Sequence, residues 1–159
     1  DGLLVECLYV AECAAPAALH VDRFLPATPI RVIVNHAFKN VTDKTELHDA
    51  PLVRGRPERL LDQPSIKNKI VPKMLRRAEE IASKRSKELA EAATTAMATQ
   101  LADELARLRD LRQFNDTIRE EEVTSLEAHQ QALKDALATP QLRLDALRLI
   151  WCRPASAKE

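Results

Sequence analysis

Ile66-Lys67-Asn68-Lys69-Ile70-Val71-Pro72-Lys73-Met74-Leu75-Arg76-Arg77-Ala78-Glu79-Glu80-Ile81 opens a run whose apolar positions continue at Leu89, Ala93, Met97, Leu101, Leu105 and Leu108. Steps of three, four and eight put these residues on one stripe of an α-helix. The spacing predicts one long helix beginning after Pro64, with Ser65 as its cap. Pro72 either kinks that helix or marks its true first position, because proline is cheap only at a helix start. Glu80 with Lys84, Lys84 with Glu88 and Lys87 with Glu91 stand four apart on the wet face, each pair adding ~0.2–0.5 kcal/mol.

Toward the carboxy terminus the period breaks over Arg112 to Asp116. Thr117 and Glu120 have capping-box spacing, and Glu121 and Glu122 complement the positive end of a second helix. Val123, Leu126, Leu133 and Leu137 form its seam with Gln130 between them, and Pro140 closes it. A short turn makes the two helices antiparallel. At 1.5 Å per residue the second is ~30 Å long and reaches back to about Ala93. Met74, Ala78, Ile81 and Leu89 are then left to cover a sheet, and the rest forms an arm projecting beyond it. Ala90, Ala92, Ala93, Ala96 and Ala98 permit close backbone approach at the arm's root. Residues 142–152 alternate as a strand would, although the composition also tolerates helix; the reading taken is a final strand returning to the sheet, which implies burial of Leu149, Ile150 and Trp151, and Arg153-Pro154-Ala155-Ser156 reads as a frayed tail.

Toward the amino terminus, Leu3 to Cys13 reads as a central strand, with Glu6 and Glu12 on one face and Val5, Cys7, Tyr9 and Cys13 on the other. Pro16, Pro26 and Pro29 keep Ala14 to Thr28 from helix. Ile30 to Val34 is a second strand with Ile30, Val32 and Val34 on one face. Residues 35–63 read as loop, with a short edge strand around Thr45 to Leu47. The fold class predicted is α+β: a small antiparallel sheet packed against a long helix that continues into a helical hairpin. One domain spans 1–159, with 1–50 mainly strand and loop, 65–138 helical and 142–152 a last strand.

Composition agrees. The 159 residues are 45% hydrophobic but only 3% aromatic, with two glycines, so the core is aliphatic and tight glycine turns are few. Twenty-four basic and twenty-four acidic residues cancel, so a preference for nucleic acid or a membrane surface has to be local. Glu6, Glu12 and Pro16 interrupt the longest apolar stretch, which is unsuited to a bilayer, and no signal peptide opens the chain. Cys7, Cys13 and Cys152 lack paired spacing and fit a reducing compartment as buried, inert thiols.

Catalytic motifs are not legible. Gly2 and Gly55 cannot build a phosphate loop, and His20, His36, His48 and His129 show no metal-ligand spacing. Glu6 and Glu12 on one strand are ~20 Å apart, too far for acid/base work. Ser65, Ser83, Ser86 and Ser125 stand in no nucleophile-elbow context. These readings point to a non-enzymatic chain with no metal or cofactor of its own. The one irregularity is charge: Arg54, Arg56, Arg59, Lys67, Lys69, Lys73, Arg76 and Arg77 are opposed only by Glu58 and Asp62. Such a cluster suits a phosphate backbone or an acidic protein, although a solvated loop and helix start is its commoner meaning. No aromatic residue interleaves to stack bases.

Three blocks carry a family resemblance: Gly2 to Glu12 with Ala15-Pro16, then Asp22-Arg23-Phe24-Leu25-Pro26-Ala27-Thr28-Pro29-Ile30-Arg31 continuing to Val34, and Leu142 to Ile150. With Asn115-Asp116-Thr117-Ile118-Arg119 they run in order from end to end. The chain resembles the carboxy-terminal domain of the RapA family, bacterial RNA polymerase-associated ATPases of the Swi/Snf type. Ala27 and Asp116 stand where the family places prolines, and residues 38–89 match only as loop followed by helix, so the basic cluster draws no support from it. The resemblance implies a non-catalytic interaction or regulatory domain of a cytoplasmic, nucleoid-associated translocase that recycles RNA polymerase. ATP and Mg would be bound by the parent's helicase lobes. The partners it implies are RNA polymerase and those lobes, with nucleic acid as the alternative partner and no membrane. It also implies missing upstream strands and an unnatural edge at Leu3 to Cys13. The contact surfaces expected are the hairpin around Arg109, Arg112 and Arg119, then the basic cluster.

Overall fold

Val5, Cys7, Val32 and Val34 are fully buried, and the strands that carry them sit side by side. The structure, a computed structural model, describes residues 2–44, 47, 52–56 and 58–152, apart from the side chains of Arg59 and Leu60. Three strands, β1 (Gly2–Glu12), β2 (Thr28–Asn35) and β3 (Gln141–Cys152), form an antiparallel sheet in the order β2-β1-β3. Alternation on β1 buries Leu3, Val5, Cys7, Tyr9 and Ala11. The central placement of this strand holds. Its expected unnatural edge does not, because β2 and β3 hydrogen-bond to it from both sides.

Pro29 is tolerated near the start of β2 because β2 is an edge strand, where a missing N–H breaks no interior ladder. Past β2, Asn35 Oδ1 accepts the N–H groups of Ala37 and Lys39, and the chain turns back so that Val41 N–H donates to Ile33 O at 2.8 Å. The predicted loop therefore begins as a tight return. Farther along it holds a short helix, α1 (Glu58–Leu61), that the breakers Pro57 and Gly55 concealed. Of the expected edge strand, Leu47 is buried and non-strand, while Thr45 and Glu46 lie outside the described residues. So does the tail from Arg153.

The long helix is α2 (Val71–Phe114), 44 residues. It does not start at a Ser65 cap: Ser65 is already in right-handed helical conformation and its side chain makes no capping bond. A π-helical turn, Ile66–Ile70, precedes it, closed by Val71 N–H to Ile66 O. Pro72 explains the wide turn, since it has no N–H for the carbonyl four residues back and its ring crowds that carbonyl. The buried stripe runs through Met74, Ala78, Ala82, Ser86, Ala90, Ala93, Met97, Leu101 and Leu105. Ile81 and Leu89 are at its margin, and Ala92, Ala96 and Ala98 are exposed, so Ala90 and Ala93 alone among the five alanines line the close approach.

Two compact units arise, one from residues 1–10, 29–85 and 142–159, the other from 11–28 and 86–141. In the first, the sheet's second face carries a small cluster of Ile33, Leu47 and Ile150 with Leu4 and Val41. Trp151 was expected to be buried, yet it is 41% exposed, and Leu144 and Leu147 are exposed too. Alternation selects a face, but on this edge strand Ile150 alone is buried in a cluster among the described residues.

In the second unit, α3 (Glu120–Leu137) lies against α2 through Leu133, Leu137, Met97, Leu101, Ala93 and Ala90. Leu89 packs here and not on the sheet. The helix starts at an Arg119 cap, two residues later than Thr117, because Asn115 Oδ1 captures both the N–H and the hydroxyl of Thr117. Glu122 instead accepts the Arg119 N–H at 3.3 Å. Among the described residues no helix is long and apolar enough to cross a membrane.

Candidate interaction surfaces

The connection Ala14 to Thr28 contributes a third wall to the hairpin. Two single 3-10 turns, Ala17–Leu19 and Val21–Arg23, are joined at His20, whose φ of 49° is left-handed. They seat Val21 and Leu25 in the same cluster as Met97 and Leu133, with Phe24, Leu19 and Cys13 packed at its margin. Arg23 lies 5.5 Å from the Phe24 ring centre and 3.7 Å from Glu104 of α2. The string from Asp22 to Pro26 is thereby tied to the helical pair. Sequence reading saw a structured connection there but not its docking site, since no period marks a segment made of turns.

At the hairpin's end, Arg109 reaches Glu127 at 2.5 Å and Arg112 pairs with Glu120, both in exposed positions. These guanidinium groups join α2 to α3. Arg119 lines a shallow cleft of about 400 Å³ with Arg112, Asp116, Ile118, Glu120 and Glu121. Leu111 and Phe114 were not anticipated as surface residues, yet Phe114 is 90% exposed. The signal was available: both leave the buried register defined by Met97, Leu101 and Leu105.

Arg54 and Arg56 are exposed in an extended segment, and Lys67, Lys69, Lys73, Arg76 and Arg77 are exposed along the π turn and the start of α2. Arg77 pairs with Glu80 at 2.8 Å. The Arg59 side chain lies outside the described residues.

Glu6 turns out to be an electrostatic tie. Arg31 Nε of β2 donates to its Oε1 at 2.6 Å, and Arg148 Nε of β3 donates to its Oε2 at 2.5 Å. Burial alone would push the Glu6 carboxyl up, but the two guanidinium groups outweigh it and leave the carboxyl below its ordinary value. Cys7 is buried and hydrogen-bonded with Tyr9, and burial raises both their pKa values. Cys152, expected to be buried, is exposed, and Cys13 is half-buried. Among the described residues no group of three His, Cys, Asp or Glu gathers at metal-binding distance.

Residues 1–152 match the family model described as RNA polymerase recycling family C-terminal. The chain belongs to that family. It is 34% identical over 153 residues to the RNA polymerase-associated protein RapA of Klebsiella pneumoniae (strain 342) and, to the same degree, to that of Proteus mirabilis (strain HI4320). In both comparisons the match covers 93% of this chain and 16% of the relative's length. Family membership thus takes in the Asp22 to Arg31 string, whose Phe24 and Leu25 pack on the hairpin, and the β3 strand that closes the sheet.

Proposed function

We propose that this chain is a docking and regulatory domain of an RNA polymerase-associated ATPase of the RapA type, and that the tip of the α2–α3 hairpin meets the partner. The observation that carries the reading is Phe114, an aromatic side chain 90% exposed at the end of α2, with exposed Leu111 one turn before it. Exposed aromatics beside arginines are the usual anchors of protein interfaces. Arg109 and Arg112 hold the two helices together, so they present the anchor and set its frame. The relatives' printed names supply the partner class, RNA polymerase. ATP hydrolysis, its Mg and the translocation of nucleic acid would belong to the parent's lobes, in the bacterial cytoplasm beside the nucleoid. This domain's contribution is contact.

Binding of the chain to immobilised RNA polymerase tests the reading. Phe114→Ala together with Leu111→Ala should weaken association by roughly 30-fold, the equivalent of ~2 kcal/mol for a hot-spot anchor. Unchanged binding by that variant overturns the tip as the docking surface.

A further inference from the structure

The exposed face of the π turn and the first part of α2 is basic, which is mildly unfavourable at the positive end of a helix. Lys69 in the π turn and Lys73, Arg76 and Lys84 on α2 are all exposed, and the three on α2, at steps of three and eight, fall on the side opposite Met74, Ala78 and Ala82. The acidic side chain on the same stripe is Glu80, and Arg77 neutralises it at 2.8 Å. The four cations make no ion pair among the described residues. By contrast, Arg109 and Arg112 on the later part of the same helix are both satisfied by glutamates. No acidic residue stands in the first turn of α2, whereas α3 begins with Glu120, Glu121 and Glu122.

We propose that this stripe binds the phosphate backbone of a nucleic-acid duplex. A row of cations, ~17 Å long from Lys73 to Lys84 at 1.5 Å per residue and extended by Lys69, matches a rail of phosphates that carries one charge per ~1.7 Å of duplex axis. The stripe bears no aromatic side chain and no amide besides Asn68 beside it, so it holds the backbone without stacking on or reading bases. Charge complementarity with a regular polyanion selects this occupant, because a helix face so short of acceptors offers a protein partner little but attraction to carboxylates. The surface is separate from the hairpin tip, and the proposal stands whether or not the tip docks a polymerase.

Fluorescence anisotropy of a short labelled duplex against the full chain, repeated over a range of salt concentrations, tests it. Binding should fall linearly on logarithmic axes with added salt and be equal for two duplexes of unrelated sequence. The variant Lys69→Ala, Lys73→Ala, Arg76→Ala should weaken binding and reduce the steepness of the salt dependence by up to about 2.7, at about 0.9 per lost contact. Lys69→Arg with Lys73→Arg should retain both, and circular dichroism of each variant should show unchanged helix content. Absence of duplex binding at low salt overturns the proposal, as does a triple variant with the wild-type salt dependence. Competition by polyglutamate as effective as by unlabelled duplex would also overturn it, in favour of an acidic protein partner.

Discussion

Arg148 donates from Nε to Oε2 of Glu6 at 2.5 Å, joining positions 142 apart in sequence and tying β3 to the centre of the sheet. Arg31 completes the tie from β2, so one carboxylate on β1 spans all three strands. The Glu6 side chain is only 11% exposed, whereas that of Arg148 is 52% exposed. The carboxylate is therefore costly to leave without partners, and the outer arginine is cheap to release.

Glu6→Gln should lower the unfolding free energy by about 1–2 kcal/mol, at the low end for charged hydrogen bonds because solvent screens Arg148. Arg148→Ala should cost less, since Arg31 still holds the carboxylate. Urea unfolding followed by circular dichroism measures both, and a larger loss for Arg148→Ala would contradict the account.

The same tie sets an acid limb to stability. Because the folded-state pKa of Glu6 lies below its ordinary value of 4.5, its contribution is complete above that value and is lost as pH falls through the depressed one. Melting temperature should decline on acidification below about pH 4.5, with a shallower decline in Glu6→Gln. Identical pH profiles for the two proteins would exclude Glu6 as the source.

Leu25 and Arg23, two residues apart in the Asp22 to Arg31 string, should behave differently. Leu25 is buried in the hairpin cluster, so Leu25→Ala should cost about 2–4 kcal/mol. Arg23 meets Glu104 only at 3.7 Å on the surface, and Arg23→Ala should cost under about 0.5 kcal/mol. Comparable losses in denaturant titrations would mean the string is held by charge and not by packing.

Ser86 is buried within α2 and its hydroxyl has no hydrogen-bond partner among the described residues, although Thr94, Thr95, Thr99 and Thr124 each donate to the carbonyl four residues back. Ser86→Ala removes that unpaired hydroxyl and should raise stability by about 1 kcal/mol, visible as an upward shift of the urea midpoint. A drop in the midpoint would show that the hydroxyl is satisfied in solution.

Thiol accessibility gives an independent check of both units. Cys152 should react with Ellman's reagent at once, Cys13 more slowly, and Cys7 only on unfolding, because it is buried and its thiol pKa is raised. Cys7→Ser should leave the fast phase intact, and Cys152→Ser should remove it.

Much of this architecture is legible in the sequence. The period of α2 survived a shift of its buried stripe because Met97, Leu101 and Leu105 are unambiguous, whereas Ile81 and Leu89 competed with Ala82 and Ala90 on adjacent helix rows. Small residues win the interior where backbones come close, and hydrophobicity alone ranks them lower. The start of α3 was misplaced by two residues because Thr117 and Arg119 compete for cap roles, and the Asn115 side chain decides between them. The basic residues were legible as a cluster. Which of them face away from the core, and which are already neutralised, needed the helix register.

The chain's sequence alone determined the strand, long helix, hairpin and final strand, and it carried the family string, because hydrophobic period and proline placement are local properties of the backbone. Tertiary structure decided that Glu6 joins three strands, that the Asp22 to Pro26 turns dock on the hairpin, and that Trp151 and Phe114 stay exposed. Those outcomes depend on which distant surfaces arrive to cover a side chain, and pairwise burial of that kind leaves no mark in the spacing of neighbouring residues.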